Sequence, residues 1–163
     1  MNAIAASEPA CGAEVCLDGV DLLALSQRVG TPLQVYSASA IRERINALQT
    51  ALHGLDALVC YAAKANTNVA ILQLMAEAGL GADIVSSGEL QRSLRAGIPA
   101  ERIVFSGVGK SAEEIVEALT ASVARFNVES EDELHLLQRL AAERNAIAHA
   151  SVRINPDVDA LTH

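Results

Sequence analysis

The sequence predicts an α/β chain of repeated strand–loop–helix units, about five of the eight that close a parallel (β/α)8 TIM-type barrel. Short apolar runs begin near Ala57, Ala82, Ile103, Ala124 and Ala150, about 20 to 26 residues apart, and each of the first four leads into a helical pattern. Polar side chains that cap free backbone N–H groups open these helices, and two helices stop at Gly79 and Gly97. Five such strands, set against the eight strands and roughly 250 residues of a closed barrel, mark the 163 residues as the N-terminal portion of a longer chain. An open five-stranded doubly wound sheet, complete as it stands, is the competing architecture.

Met1 to Ala13 reads as a loose leader, without the basic start or long apolar segment of a secretory signal. Glu14 to Leu17 is expected as a short strand and Asp21 to Val29 as a helix behind an Asp cap. Gly30-Thr31-Pro32 is a turn, and the apolar stretch Leu33 to Tyr36 reads as a strand. A helix follows from Ala38 to Leu52, with Ile41, Ile45, Leu48 and Leu52 on one face. Thr67 or Asn68 caps the helix that ends before Gly79, and Ser87 caps the next. Ser111 with Glu114, and Ser130 with Glu133, have the capping-box spacing, in which hydroxyl and carboxylate satisfy free N–H groups reciprocally. The last strand runs from Ala150 to Asn155.

Composition narrows the function. A hydrophobic content of 51% allows one sizeable core, while a net charge of -8 and 2% aromatics argue against nucleic acid and anionic membrane surfaces. No apolar run reaches the length of a membrane span. Cys11, Cys16 and Cys60 show no paired spacing and fit a reduced, cytoplasmic protein. The four histidines form no close ligand pair, so no metal site is expected.

The chemistry centres on Tyr61-Ala62-Ala63-Lys64-Ala65-Asn66, where an apolar strand ends in a lysine. The chain has ten arginines but only two lysines, Lys64 and Lys110, so a lysine at a barrel strand's C-terminal end is not background. A partly desolvated amine there loses its proton readily and can form a Schiff base with a carbonyl; the plain alternative is a strand-end lysine pointing into water. Asp83 lies inside an apolar strand and needs a partner, for which a lysine on the neighbouring strand is a natural choice and a backbone-bonded structural role the alternative. Ser86 to Glu89, Asn127, Glu129, Arg153 and Asn155 are further polar groups at strand ends, with Arg153 embedded in its strand. Ser106-Gly107-Val108-Gly109-Lys110-Ser111 imitates a P-loop but lacks its first glycine, since Val104 stands there; a tight helix-capping turn explains it.

These motifs resemble the diaminopimelate decarboxylase family, pyridoxal-phosphate enzymes of the alanine racemase-like barrel class. The resemblance is carried in order by Gly30 to Tyr36, Tyr61 to Asn66, Gly81 to Leu90, Phe105 to Lys110, Phe126 to Ser130 and Arg153 to Ala160. It implies a partial pyridoxal-phosphate-binding barrel over residues 31–163 and an N-terminal segment, 1–30, that packs with a C-terminal β-domain absent from this sequence. Glu14 to Leu17 would then lack its sheet. It further implies that Lys64 is the catalytic, cofactor-bearing lysine, and that Asp83 and Arg153 lie close to it and to the cofactor ring. The implied activity is conversion of meso-diaminopimelate to lysine and carbon dioxide, in a protein that is a cytoplasmic homodimer when complete. A related decarboxylase acting on ornithine, arginine or a carboxylated polyamine, and a non-catalytic homologue or fragment, are the alternatives.

Overall fold

The computed structural model describes residues 15–154 and Pro156, and the chain forms two compact units that divide between Asp56 and Ala57. In the first unit, β1 (Cys16–Leu17) and β2 (Val20–Asp21) form an antiparallel hairpin. Its two turn residues, Asp18 and Gly19, both take left-handed backbone angles (φ 49° and 77°), the turn whose twist matches paired strands. Within this segment β1 thus finds a local partner, supplied by the tight turn.

Asp21 then caps α1 (Leu22–Val29), accepting from the amides of Leu23 at 2.8 Å and Ala24 at 3.1 Å. Ser37 caps α2 (Ala38–Ala51), whose apolar stripe buries Ile45 and leaves Leu48 exposed. Asp18 ties the hairpin to the start of α2, accepting the Ser37 hydroxyl at 2.9 Å and the Ser39 amide at 3.1 Å. Those bonds, Ser39's foremost, hold the Asp18 carboxyl below the usual carboxylate value. Leu33 to Tyr36 is not a strand, because apolar content alone supplies no neighbouring strand to pair with. Cys16 is disulfide-bonded, whereas Cys60 is a free thiol. This corrects the all-reduced reading: three cysteines accommodate one bridge and one thiol as readily as three thiols.

The second unit repeats strand, loop and helix. Its strands are β3 (Cys60–Ala62), β4 (Gly81–Ile84), β5 (Ile103–Phe105), β6 (Arg125–Val128) and β7 (Ala150–Val152). Between them run α3 (Val69–Glu77), α4 (Ser87–Arg95), α5 (Ala112–Ala121) and α6 (Glu131–Glu143). All four strand pairs are parallel and the sheet order is strictly sequential, β3-β4-β5-β6-β7. A doubly wound sheet reverses its order at a switch point, and this one does not. Right-handed crossovers between sequential parallel strands place every helix on the same face. Consistently, α3 packs on α4, α4 on α5 and α5 on α6, one continuous layer. This is barrel wall.

The core lies between that helix layer and the sheet. Ile84, Phe105 and Phe126 align across β4, β5 and β6 and are buried, the two rings stacked with centroids 6.1 Å apart. Leu72, Leu90, Ile115 and Leu137 of the covering helices and Ile98 of the loop after α4 are buried as well. Gly81 is dictated by the close approach of β4 and β5: a Cβ there would stand 2.1 Å from the Arg102 carbonyl oxygen.

The caps follow the expected spacing with two departures. Asn68 rather than Thr67 caps α3, accepting the Ala70 amide at 3.0 Å, and Ser111 with Glu114 forms the complete capping box of α5. Ser86, not Ser87, caps α4; the Ser87 amide instead donates to Glu114 Oε1 at 3.1 Å, tying α4 to the start of α5. Ser130 caps α6 through the Glu133 amide, but the Glu133 carboxylate does not return to Ser130. A buried ammonium claims it.

Candidate active site

Strand pairing fixes which side chains share a face. Ala62, Asp83, Val104 and Arg125 align across β3 to β6, opposite to the face that packs on the helices. In a barrel this second face is the interior, and its C-terminal end is the mouth where catalytic groups gather. Asp83 is half-buried and Arg125 exposed, so the face is far less apolar than the helix-facing one. Arg125 on this face is not anticipated from the sequence, because it opens its strand as a lone charge before Phe126.

Lys64 sits just beyond β3, in a single 3-10 turn over Ala63–Ala65. Fully buried Ala63 anchors the turn, and its carbonyl accepts the Asn66 amide at 3.1 Å. The Tyr61 hydroxyl donates to the Asn66 carbonyl at 3.4 Å, and Asn66 Oδ1 accepts the Asn68 amide at 2.9 Å. The backbone around the lysine is thus well bonded while its amine, among the described residues, makes no hydrogen bond or ion pair.

Lys110 is the opposite case. Its Nζ is buried and donates to the Gly107 carbonyl at 2.8 Å, the Asn127 carbonyl at 2.7 Å and Glu133 Oε1 at 2.6 Å, and lies 5.6 Å from the centre of the Phe105 ring. Gly107 and Gly109, both at positive φ, let the loop fold back over this ammonium. The imitation P-loop is a clamp rather than a passive turn, with every ammonium proton used inside the fold.

Asp83 accepts the Ser106 hydroxyl, and Ser106 Oγ in turn accepts from Asn127 Nδ2 at 2.9 Å. Its hydrogen-bond partner among the described residues is therefore Ser106, one strand over, whose hydroxyl immediately past β5 reaches one carboxylate oxygen directly. Arg153 is also placed differently from expectation: β7 ends at Val152, and the exposed guanidinium beyond it pairs with Glu129 Oε1 at 3.0 Å. Among the described residues neither Asp83 nor Arg153 bonds to Lys64. Asp83 is on the neighbouring strand, whereas Arg153 is four strands away, roughly 19 Å along the sheet. Asn155 lies outside the described residues. No cluster of three metal-ligating side chains and no helix able to cross a membrane occurs among the described residues.

Comparison with known proteins gives a consistent picture. Residues 38–163 match the family described as pyridoxal-dependent decarboxylase, pyridoxal binding domain. Diaminopimelate decarboxylase of Aquifex aeolicus is 48% identical over 150 residues, covering 92% of this chain and 35% of that protein. The Pseudomonas aeruginosa enzyme of the same name is 49% identical over 151 residues, covering 93% and 36% respectively. Among solved structures, Helicobacter pylori diaminopimelate decarboxylase complexed with L-lysine superposes with a TM-score of 0.84 at 45% identity, covering 88% of this chain and 36% of that one. The chain spans about a third of the length of the relatives it matches. Sequential β/α topology, a lysine at the first barrel strand's end and a family match over residues 38–163 converge: the chain belongs to the pyridoxal-dependent decarboxylases, whose pyridoxal-binding domain it carries.

Proposed function

We propose that the complete protein containing this chain is a pyridoxal-phosphate-dependent carboxy-lyase that converts meso-diaminopimelate to L-lysine and carbon dioxide, with Lys64 as the residue that carries the cofactor. One observation supports the assignment above the others: of two lysines, Lys110 is fully committed to three oxygens, while the Lys64 amine is uncommitted among the described residues at the mouth end of its strand. The residues present fit the cofactor. An aldehyde needs an accessible amine, which Lys64 offers, and a polar ring needs polar walls, which the Asp83–Ser106–Asn127 face offers.

Bound there, pyridoxal phosphate supplies an electron sink for the pair left when a carboxylate departs as carbon dioxide. The chain's own part is to bind and orient. Lys64 tethers, Asp83 lines the same side from the neighbouring strand, and the Arg153–Glu129 pair places charge across the mouth. The preference for diaminopimelate over ornithine or arginine rests on the 48–49% identity to diaminopimelate decarboxylases. We further read residues 1–30 as packing with a C-terminal β-domain, 31–163 as part of the cofactor-binding barrel, and the complete protein as a cytoplasmic homodimer.

The test uses the complete protein loaded with pyridoxal phosphate. Borohydride reduction and peptide mapping are expected to find the label on Lys64, and carbon dioxide release to be faster from meso-diaminopimelate than from ornithine or arginine. A label on Lys110 would overturn the site, and faster turnover of ornithine would overturn the substrate.

A further inference from the structure

We propose that Ser106 and Asn127 are positioning residues of the cofactor site: together they orient the Asp83 carboxylate so that one oxygen is engaged and the other is offered to the nitrogen that Lys64 contributes. The inference rests on the reading of Lys64 as the cofactor-bearing residue.

Bond direction carries the argument. An Asn side-chain NH2 only donates, so Ser106 Oγ receives the Asn127 bond and spends its single proton on Asp83. Turning the Asn127 oxygen toward Ser106 would leave two acceptors competing for that proton, so this arrangement is the one that satisfies all three groups. The chain of bonds crosses β6, the end of β5 and β4, and runs toward β3, which leads directly into the turn that carries Lys64. It stops at Asp83, whose second oxygen has no hydrogen bond among the described residues. Ala62, the last residue of β3, is in register with Asp83, and Lys64 lies two residues further on, in the 3-10 turn that follows the strand. Neighbouring strands are about 4.8 Å apart and two residues of a 3-10 turn advance about 4 Å, a span within reach of a lysine's four-carbon stem.

The backbone beneath these side chains is pinned independently. The Lys110 ammonium holds the Asn127 carbonyl at 2.7 Å and the carbonyl of Gly107, next to Ser106, at 2.8 Å. Both relay residues are therefore anchored to one buried charge, itself neutralised by Glu133 at 2.6 Å. Among the described residues the Ser106 hydroxyl and the Asn127 amide make no other side-chain hydrogen bond, and both are kept in line with a carboxylate on the cofactor side. That is positioning, since neither group reaches Lys64.

The experiment measures the pH midpoint of the cofactor's visible absorbance band in the complete, loaded protein. A carboxylate oxygen held beside the nitrogen joining Lys64 to the cofactor favours that nitrogen's protonated form, and a carboxylate free to rotate does so less. Ser106→Ala and Asn127→Ala are each expected to lower the midpoint by about one pH unit, a tenfold change in proton affinity. Ser106→Thr, which keeps the hydroxyl, is expected to retain the wild-type midpoint. In an Asp83→Asn background the Ser106→Ala shift is expected to vanish. An unchanged or raised midpoint in Ser106→Ala, or the same shift with Asp83→Asn present, would overturn the role. Unmodified protein whose borohydride label falls elsewhere than Lys64 would overturn the underlying cofactor assignment, and this role with it.

Discussion

Lys110 exchanges its hydration for three protein oxygens at 2.6 to 2.8 Å, and its side chain and that of Glu133 are only 2% and 8% exposed. Burying two charges is expensive, and their attraction offsets that cost only while both are present and bonded. Lys110→Met therefore leaves an uncompensated carboxylate in the interior. A loss of about 3–5 kcal/mol is expected, read as a lowered urea midpoint of the complete protein. The double variant Lys110→Met/Glu133→Leu should recover a large part of it, because it removes the stranded charge. A second expectation concerns Cys60, whose thiol is pushed up by burial and then by the nearby Asp83 carboxylate, with Arg102 opposing. A group with a raised folded-state pKa contributes stability that is fully present below the ordinary thiol pKa of 9.0 and is lost as pH rises through the folded value. The urea midpoint should consequently fall less between pH 8 and about pH 10.5 in Cys60→Ala than in the parent protein. Equal falls would remove Cys60 from the alkaline response. At this scale the sequence is legible for Lys64, because its setting is local: an apolar run, then an amine, then a polar turn. It is not legible for Lys110, two of whose three partners stand 17 and 23 residues away, or for Asp83, whose hydrogen-bond partner is 23 residues away.

Among the elements, helix starts were readable because a cap is built from residues within four positions of each other. Ser111 and Glu114 behave as their spacing says. Ser130 and Glu133 share that spacing, yet only half the box forms, because Lys110 offers the Glu133 carboxylate a full opposite charge. The Ser86 cap replaces the Ser87 cap by one position, because Ser86 keeps extended backbone angles and its hydroxyl accepts the Glu89 amide, while the Ser87 amide donates to Glu114. Glu114 thus serves two helices, accepting the Ser111 amide at 3.0 Å and the Ser87 amide at 3.1 Å. Glu114→Ala should cost about 1–2 kcal/mol, the upper range for a helix-start substitution. It should speed amide hydrogen exchange at both Ser87 and Ser111, whereas Ser111→Ala should leave Ser87 unaffected. Unchanged exchange at Ser87 in Glu114→Ala would show that the link between α4 and α5 carries no energy. Leu33 to Tyr36 shows the limit of such local reading, since a strand exists only where another chain segment comes to pair with it.

At the scale of the molecule, the sequential order of the parallel strands decides the architecture, and the roughly 20–26-residue rhythm already contained it. What the rhythm could not supply is the closing partner. Among the described residues β3 and β7 each pair on one side only, leaving a row of backbone donors and acceptors at both edges. Beside the β7 edge stand Val152, 67% exposed, and Ile154, 80% exposed. Among the described residues of the second unit the sheet stops at five strands, and Asp83, Ser106 and Asn127 on its interior face are only partly buried, so the water exclusion that cofactor chemistry needs depends on further wall. Two consequences follow for the 163-residue chain produced alone with pyridoxal phosphate. It should release no measurable carbon dioxide from meso-diaminopimelate, because five sequential strands fall short of the eight that close a barrel around its mouth. It should also associate through its open edges, giving a sedimentation coefficient that rises with protein concentration. A monomer with steady turnover would mean that five strands already make a sufficient site and that catalysis does not depend on barrel closure.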